Sequence, residues 1–230
     1  MPTLRLPAAR ALAAAATLAT AFAAVPAHAV EPYLATGFPY ALIGVAEPLN
    51  PYFAVRADFG AIAHHNYSGS TSDNDFRGDI HYSRGALLAD WFVFSGGFRL
   101  SAGASFNQAK ATMRASAHDG KITLGGVQYD APASTYYVTS DLSFPKTTPY
   151  IGIGWGHHAS TPGLSFNFDL GASIGQAKAT PLTASPALAS ELALNPQGAS
   201  DLQKENSDYQ DAVSKFKAIP QLTLGIGYRF

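Results

Sequence analysis

The last ten residues of the chain, Gln221 to Phe230, alternate without a break. Leu222, Leu224, Ile226, Tyr228 and Phe230 fall on one face, and Gln221, Thr223, Gly225, Gly227 and Arg229 on the other. Successive side chains of an extended strand point to opposite faces, so this segment reads as a strand with one apolar and one polar side. The pattern persists to the final residue, where chains ordinarily fray. A strand ordered that far needs a hydrogen-bonding partner on each side, and a sheet closed on itself supplies both.

The opposite end has the form of a secretory signal. Arg5 and Arg10 provide a positive start, and Ala11 to Val25 is an apolar run of about 15 residues. That suits a signal core and is short for a membrane helix. Ala27-His28-Ala29 fits a small-x-small cleavage site, so residues 1–29 are expected to be removed and Val30 to begin the mature chain. The remaining 30–230 suit one domain. No other apolar stretch is long enough for a spanning helix. Cysteine is absent, which excludes disulfide and thiolate chemistry. The formal charge of −1 becomes −3 once Arg5 and Arg10 are lost, so nothing marks a nucleic-acid partner. Charged residues are scarce at 13 % and aromatics frequent at 12 %, with 21 glycines. Such a composition suits strands whose outer face meets lipid.

Eight strands are expected, at 33–47, 51–64, 79–94, 98–113, 135–144, 148–157, 163–178 and 219–230. Leu49-Asn50 and Ser95-Gly96-Gly97 are short hairpin signals. Polar loops follow at 65–78 and 114–134. Alternation is clear in the fourth strand, where Phe98, Leu100, Ala102, Ala104 and Phe106 oppose Arg99, Ser101, Gly103, Ser105 and Asn107. It recurs in the seventh, where Leu164, Phe166, Phe168, Leu170 and Ile174 oppose Ser165, Asn167, Asp169, Gly171 and Ser173. A soluble sandwich turns its apolar face inward; a membrane barrel turns it to lipid. Alternation alone separates neither. The signal segment, the terminal phenylalanine and the ten-residue strands favour an all-β fold: a single closed antiparallel transmembrane barrel. This division of strands conflicts with one rule. With both ends periplasmic, it puts the loops at 65–78 and 114–134 in the periplasm, where short turns are usual. Either a further strand lies near the mature start, or one strand is misdivided.

Continuing the alternation places Arg56, Asp58, Arg84, Asp90, Arg99, Asp141, Asp169 and Arg229 inside. Eight strands enclose a space just wide enough for side chains to fill. Four positive and four negative charges there can pair, so that none is desolvated alone. The expectation is a polar plug. The competing reading leaves half of these charges solvated near the rim.

Residues 185–218 break the strand pattern. Ser200-x-x-Gln203 resembles a capping box, and Leu202, Tyr209, Val213 and Phe216 recur near helical spacing. One amphipathic helix of about four turns is expected before Pro220, packed on the rim or serving a partner.

Three stretches carry a family likeness: Leu87-Leu88-Ala89-Asp90-Trp91, Gly97 to Gly103, and Pro149-Tyr150-Ile151-Gly152-Ile153-Gly154-Trp155-Gly156. They resemble the small, about eight-stranded outer-membrane β-barrel proteins of Gram-negative bacteria. Gly227-Tyr228-Arg229-Phe230 looks like the assembly signal that the barrel-insertion machinery reads in that family, which gives Tyr228 and Phe230 that role here. The resemblance implies a fold, residence in the bacterial outer membrane, and lipids and the assembly machinery as partners. It is nearly silent on activity, since such families include adhesion-related proteins, narrow channels and lipid-modifying enzymes. The 185–218 insert departs from the simplest members.

Little active-site chemistry is legible. His64-His65 and His157-His158 are adjacent pairs, and neighbouring strand residues face opposite ways, so neither pair is placed to chelate one metal ion. Gly152, Gly154 and Gly156 lie within a strand, where small residues suit a crowded interior or a bend. No cofactor is expected. His158-Ala159-Ser160 and His81-Tyr82-Ser83 each put a histidine and a serine on one strand face, where imidazole could activate the hydroxyl. The first pair is similar to the His-x-Ser element of outer-membrane lipid A deacylases, which also need an acid, and none can be named from sequence. His158 and Ser160 are weak catalytic candidates, since His-x-Ser arises readily by chance. A structural or surface role with a plugged interior is the leading expectation. A lipid-modifying hydrolase and a narrow solute channel remain as alternatives.

Overall fold

A computed structural model of the chain describes residues 30–62, 65–71, 74–131, 135–158 and 162–230. The expected signal segment at 1–29 lies outside the described residues, as do His64 and Ser160. The strands, in chain order, begin with β1 (Glu31–Phe38), β2 (Ala41–Asn50), β3 (Phe53–Ala61), β4 (His65–Ser70) and β5 (Asn74–Trp91). They continue with β6 (Phe98–Ala117), β7 (Lys121–Leu124), β8 (Val127–Asp130), β9 (Tyr137–Ser143) and β10 (Thr147–Trp155). The remaining elements are β11 (Gly163–Ile174), β12 (Lys178–Ala179), β13 (Thr183–Ala184), α1 (Pro186–Leu194), α2 (Gly198–Ser214) and β14 (Ala218–Arg229).

Eight strands form a ring. Its order is β1, β2, β3, β5, β6, β10, β11 and β14, and β14 pairs back onto β1. Each neighbouring pair is antiparallel, so each ring strand is hydrogen-bonded on both sides. Antiparallel order sorts the connections. The chain leaves β3, β6 and β11 for its long segments at one end, together with the tight Pro39-Tyr40 turn. It leaves β2, β5 and β10 for its short turns at the other end, beside Glu31 and Arg229.

The ring divides the sequence differently from the expected strands. The segment 33–47 is two strands, β1 and β2, folded at Pro39, which has no N–H to give to a ladder. The segments 135–144 and 148–157 run in the same sense along one edge of β6: β9 on Lys110–Ser116, β10 on Phe98–Phe106. Pro145 sits in the break between them, bridged where Asn107 N–H donates to the Lys146 carbonyl at 2.6 Å. The ring therefore has eight strands by two compensating changes. The same changes put the long segments together at one end.

The burial pattern is inverted relative to a soluble protein. On β14, Gln221, Thr223 and Arg229 are buried while Leu222, Leu224, Ile226 and Tyr228 are exposed, Leu224 by 63 %. Leu34, Phe59, Leu87, Ile151 and Phe166 are likewise exposed on the outside of the ring. Aromatic residues gather near the short-turn end: Tyr52, Phe53, Trp91, Phe94, Trp155, Tyr228 and Phe230 are all exposed.

A conventional apolar core lies elsewhere, at the long-segment end. Ile122, Leu124 and Tyr129 of the β7–β8 hairpin pack with Ala117, Val138, Leu188 and Leu192. Two helices stand where one was expected. Ser185 caps α1 by accepting from Leu188 N–H at 3.3 Å, with Pro186 in the first turn. Asn195-Pro196 ends it, since the residue before proline is driven to the extended conformation that Asn195 shows. Ser200 does not cap α2; its hydroxyl donates to the Gln197 carbonyl at 2.7 Å. Leu202 packs against the apolar core, and Phe216, beyond the helix, is exposed.

Candidate functional site

The polar faces of the ring strands converge on a set of buried charges. At its centre, Arg56 Nε lies 2.5 Å from Asp90 Oδ2 and Arg56 Nη2 lies 3.1 Å from Asp169 Oδ1. Arg99 faces the same two acids, with Nη2 at 2.6 Å from Asp169 and Nε at 3.3 Å from Asp90. The result is a closed quartet in which each guanidinium sees two carboxylates and each carboxylate two guanidiniums. Ser101 donates to Asp90 at 2.5 Å and accepts from Arg56 at 3.2 Å. Gly154 leaves room for this group, since a Cβ there would lie 2.9 Å from Arg99 Cζ.

One layer toward the long segments, Arg84 Nη1 donates to Asp58 Oδ1 at 2.8 Å and to the Tyr40 hydroxyl at 2.9 Å. Its Nε donates to Ser105 at 2.9 Å, and its guanidinium carbon stands 4.9 Å from the Tyr150 ring centroid. Tyr40 in turn donates to Gln221 at 2.5 Å and stacks on Tyr82. The space left among Tyr33, Tyr40, Arg56, Asp58, Arg84 and Tyr150 is about 10 Å³. That is about the room one water needs.

A third group closes the short-turn end. Glu31 is paired with Arg229, accepts from Ser165 at 2.6 Å, and lies 2.9 Å from His157 Nδ1. His157 is fully buried, its ring tilted against Tyr33 at 4.4 Å.

Seven of the eight charges expected inside are buried: Arg56, Asp58, Arg84, Asp90, Arg99, Asp169 and Arg229. Asp141 requires correction. It is exposed on β9 and accepts a hydrogen bond from Thr112 at 2.8 Å. Even-numbered residues of β10 face inward, and the same parity holds in β9, where Val138 and Ser140 are buried. Asp141 is odd-numbered and faces out. Its place in the charge balance is taken by Glu31, which the sequence reading missed together with His157. The alternation Glu31, Tyr33, Ala35 would have found Glu31, had β1 been started two residues earlier. His157 carries no such signal, because it sits in a turn with a positive φ of 58°.

The other histidines do not assemble a site of the expected kind. His158 stands edge-on to Phe92 at 5.0 Å, and Ser160 lies outside the described residues. His81 is exposed, with its Nε2 3.5 Å from Asp79 Oδ1 on the same outward row as Ser83. Among the described residues, no group of three or more His, Asp or Glu is arranged to hold a metal ion.

No family model and no curated protein matches this sequence. Solved structures do match its shape. CarO2 of Acinetobacter baumannii superposes with a TM-score of 0.61 at 14 % identity, over 88 % of this chain and 99 % of that one. CarO of the same organism gives 0.58 at 13 % identity, over 90 % and 98 %. A major outer membrane protein from Thermus thermophilus is a looser likeness, at 0.44 and 14 % identity over 89 % and 100 %. The fold these comparisons show is that of bacterial outer-membrane β-barrel proteins.

Proposed function

We propose that this chain is a Gram-negative outer-membrane β-barrel with a plugged polar interior and a structural or surface role. The observation that carries the reading is the inversion of the ring: paired charges fill the inside while Leu, Ile and Phe face out. Lipid is the surrounding that rewards such a surface. The twelve residues of β14 rise roughly 40 Å along the strand. Tilted by about 40°, they cover the roughly 25 Å apolar band of an outer-membrane barrel. The exposed aromatics at the short-turn end form an interfacial girdle; short turns belong to the periplasmic side of such barrels, which puts the helical cap outside. The ring is then a closed transmembrane barrel, lipids are its immediate partners, and Tyr228 and Phe230 are the residues offered to the assembly machinery.

A channel needs a continuous path, and the Arg56–Asp90–Arg99–Asp169 quartet stands across it. The test combines two measurements on the full chain. Membrane fractionation should recover it with the outer membrane, and planar-bilayer recordings should show no steady conductance. Recovery in the cytoplasm defeats the membrane reading; a stable open state defeats the plug and promotes the channel.

A further inference from the structure

Strands β4, β5, β6 and β9 continue past the ring as a four-stranded wall. Outward residues are odd-numbered on β5, as in Leu87 and Trp91, and even-numbered on β6, as in Leu100 and Phe106. Following those rows upward brings Arg77 and Arg114 to directly opposed positions in the ladder. Ser68 is opposite Arg77 on β4, and Thr139 is opposite Arg114 on β9. One rung of the wall therefore reads Ser68, Arg77, Arg114, Thr139, with two like charges at its centre.

Like charges set directly across a ladder are destabilising unless something compensates them. Among the described residues, neither guanidinium has a carboxylate within ion-pair distance. Asp75, two residues from Arg77, feels the charge of that guanidinium but takes its hydrogen bonds elsewhere: it accepts from Ser70 at 2.6 Å and lies 2.9 Å from His118 Nδ1. Arg114 lays its guanidinium over the Tyr137 ring at 3.5 Å. Stacking holds the plane of that group and leaves its N–H edge for an anion. A hollow of about 610 Å³ opens beside the rung, bordered by Ser68, Ser70, Arg77, Arg114, Ser116 and the engaged Asp75.

We propose that this rung binds phosphate groups carried on the sugars of an outer-leaflet glycolipid. The inference rests on the membrane reading above. Paired guanidiniums match phosphate oxygens bidentately, and the flanking hydroxyls add donors. Height selects the source. Phe106 is the last large apolar residue of its row, and Arg114 lies eight residues beyond it, roughly 20 Å above the apolar band once strand tilt is allowed for. The headgroup layer of a simple phospholipid is only about 5–8 Å deep. A phosphorylated saccharide reaches the rung; a phospholipid headgroup does not.

The test uses the full chain in detergent and three probes: a glycolipid whose core sugars carry phosphate, the same glycolipid dephosphorylated, and inorganic phosphate. Native mass spectrometry and calorimetry should show at least about a tenfold preference for the phosphorylated glycolipid. Arg77→Gln with Arg114→Gln should reduce that preference to about twofold, and Arg114→Lys, which keeps the charge and loses the fork, should fall between. Insertion into vesicles of neutral phospholipid checks the fold of each variant. Equal binding of the two glycolipids by a protein that inserts normally overturns the site and leaves the barrel standing. Retention of the preference by the inserted double variant overturns it too. Inorganic phosphate binding as tightly as the glycolipid reassigns the rung to a soluble ion. Failure of the unmodified chain to insert overturns the membrane reading itself.

Discussion

Arg229 and Glu31, 198 positions apart in the sequence, hold one another in a buried ion pair. The pair joins the first strand of the ring to the last, beside a seam already zipped by backbone bonds from Tyr33–Gly227 to Phe38–Leu222. Glu31 also takes Ser165 and His157, so one carboxylate ties β1, β11, β14 and the turn after β10 together. The seam thus carries a charge clasp at the end where the chain's first and last ring strands meet.

Breaking that clasp from one side should cost more than removing it. Glu31→Gln leaves Arg229 buried with its charge unmatched, and a lost partner in such a pair costs about 3–5 kcal/mol. Replacing both, Glu31→Gln with Arg229→Met, should recover much of the loss. Urea unfolding in a fixed detergent measures both variants against the parent chain. A double variant less stable than either single one would show that the clasp is needed as a charged pair.

The central quartet makes a parallel prediction with a second readout. Arg99→Ala removes one of the two cations facing Asp90 and Asp169. It should lower the unfolding midpoint and let water and ions into the space the guanidinium filled. Conductance flickering in planar bilayers, from a silent parent, is the expected sign. Arg99→Met with Asp169→Asn should close the interior again. A silent, fully stable Arg99→Ala variant would show that Arg56 alone neutralises both acids.

How much of this was legible in the sequence follows from which interactions are local. The inward and outward rows of β6, β11 and β14 are set by a period of two, and those rows needed nothing beyond the strand itself. Asp141 was misplaced because the parity of β9 is inherited through the break at Pro145, which a strand read alone does not show. Pro39 was the visible sign that 33–47 turns back on itself, and Asn195-Pro196 the visible sign that the insert holds two helices. No local pattern marks the meeting of Glu31 with Arg229 and His157, because closure of the ring creates it. The Arg77–Arg114 rung is invisible for the same reason: register across two strands puts them side by side.

The cap has its own core and should therefore respond on its own. Leu188 of α1 is fully buried among Ile122, Leu124, Tyr129 and Leu192. Leu188→Ala should cost the cap about 2–5 kcal/mol. Hydrogen exchange should rise in α1, α2 and the β7–β8 hairpin and stay unchanged in the ring strands. Uniform loss of protection through β14 and β1 would mean that cap and ring unfold together.

Tyr129 offers a pH readout in the same cap. Its hydroxyl donates to the Asp201 carboxylate, and burial together with that neighbouring charge pushes the phenol up to about 12 from 10.0. A raised acid pKa favours the protonated form in the folded state. The contribution to stability is complete below pH 10 and is lost as the pH rises from there to about 12. The difference spectrum between the parent and Tyr129→Phe should show a phenol ionising near the top of that window, and Asp201→Asn should move it down. A Tyr129 titration at the ordinary value would separate the phenol from Asp201 in solution.

Phe230 should matter more for getting into the membrane than for staying there. Its side chain, one residue past the end of β14, is 75 % exposed and meets Tyr228 edge-on at 5.1 Å. In the assembled ring it contributes interfacial burial of one aromatic ring, roughly 1–3 kcal/mol beside a strand hydrogen-bonded on both edges. On the proposed reading, Tyr228 and Phe230 are the residues the assembly machinery grasps before the ring closes. Phe230→Ala should therefore refold in detergent with a midpoint close to that of the parent. In cells the same variant should reach the outer membrane in clearly reduced amount, with unassembled chain upstream of it. Equal and large losses in both assays would make Phe230 a stabilising residue of the strand, and normal amounts in both would remove it from the assembly signal.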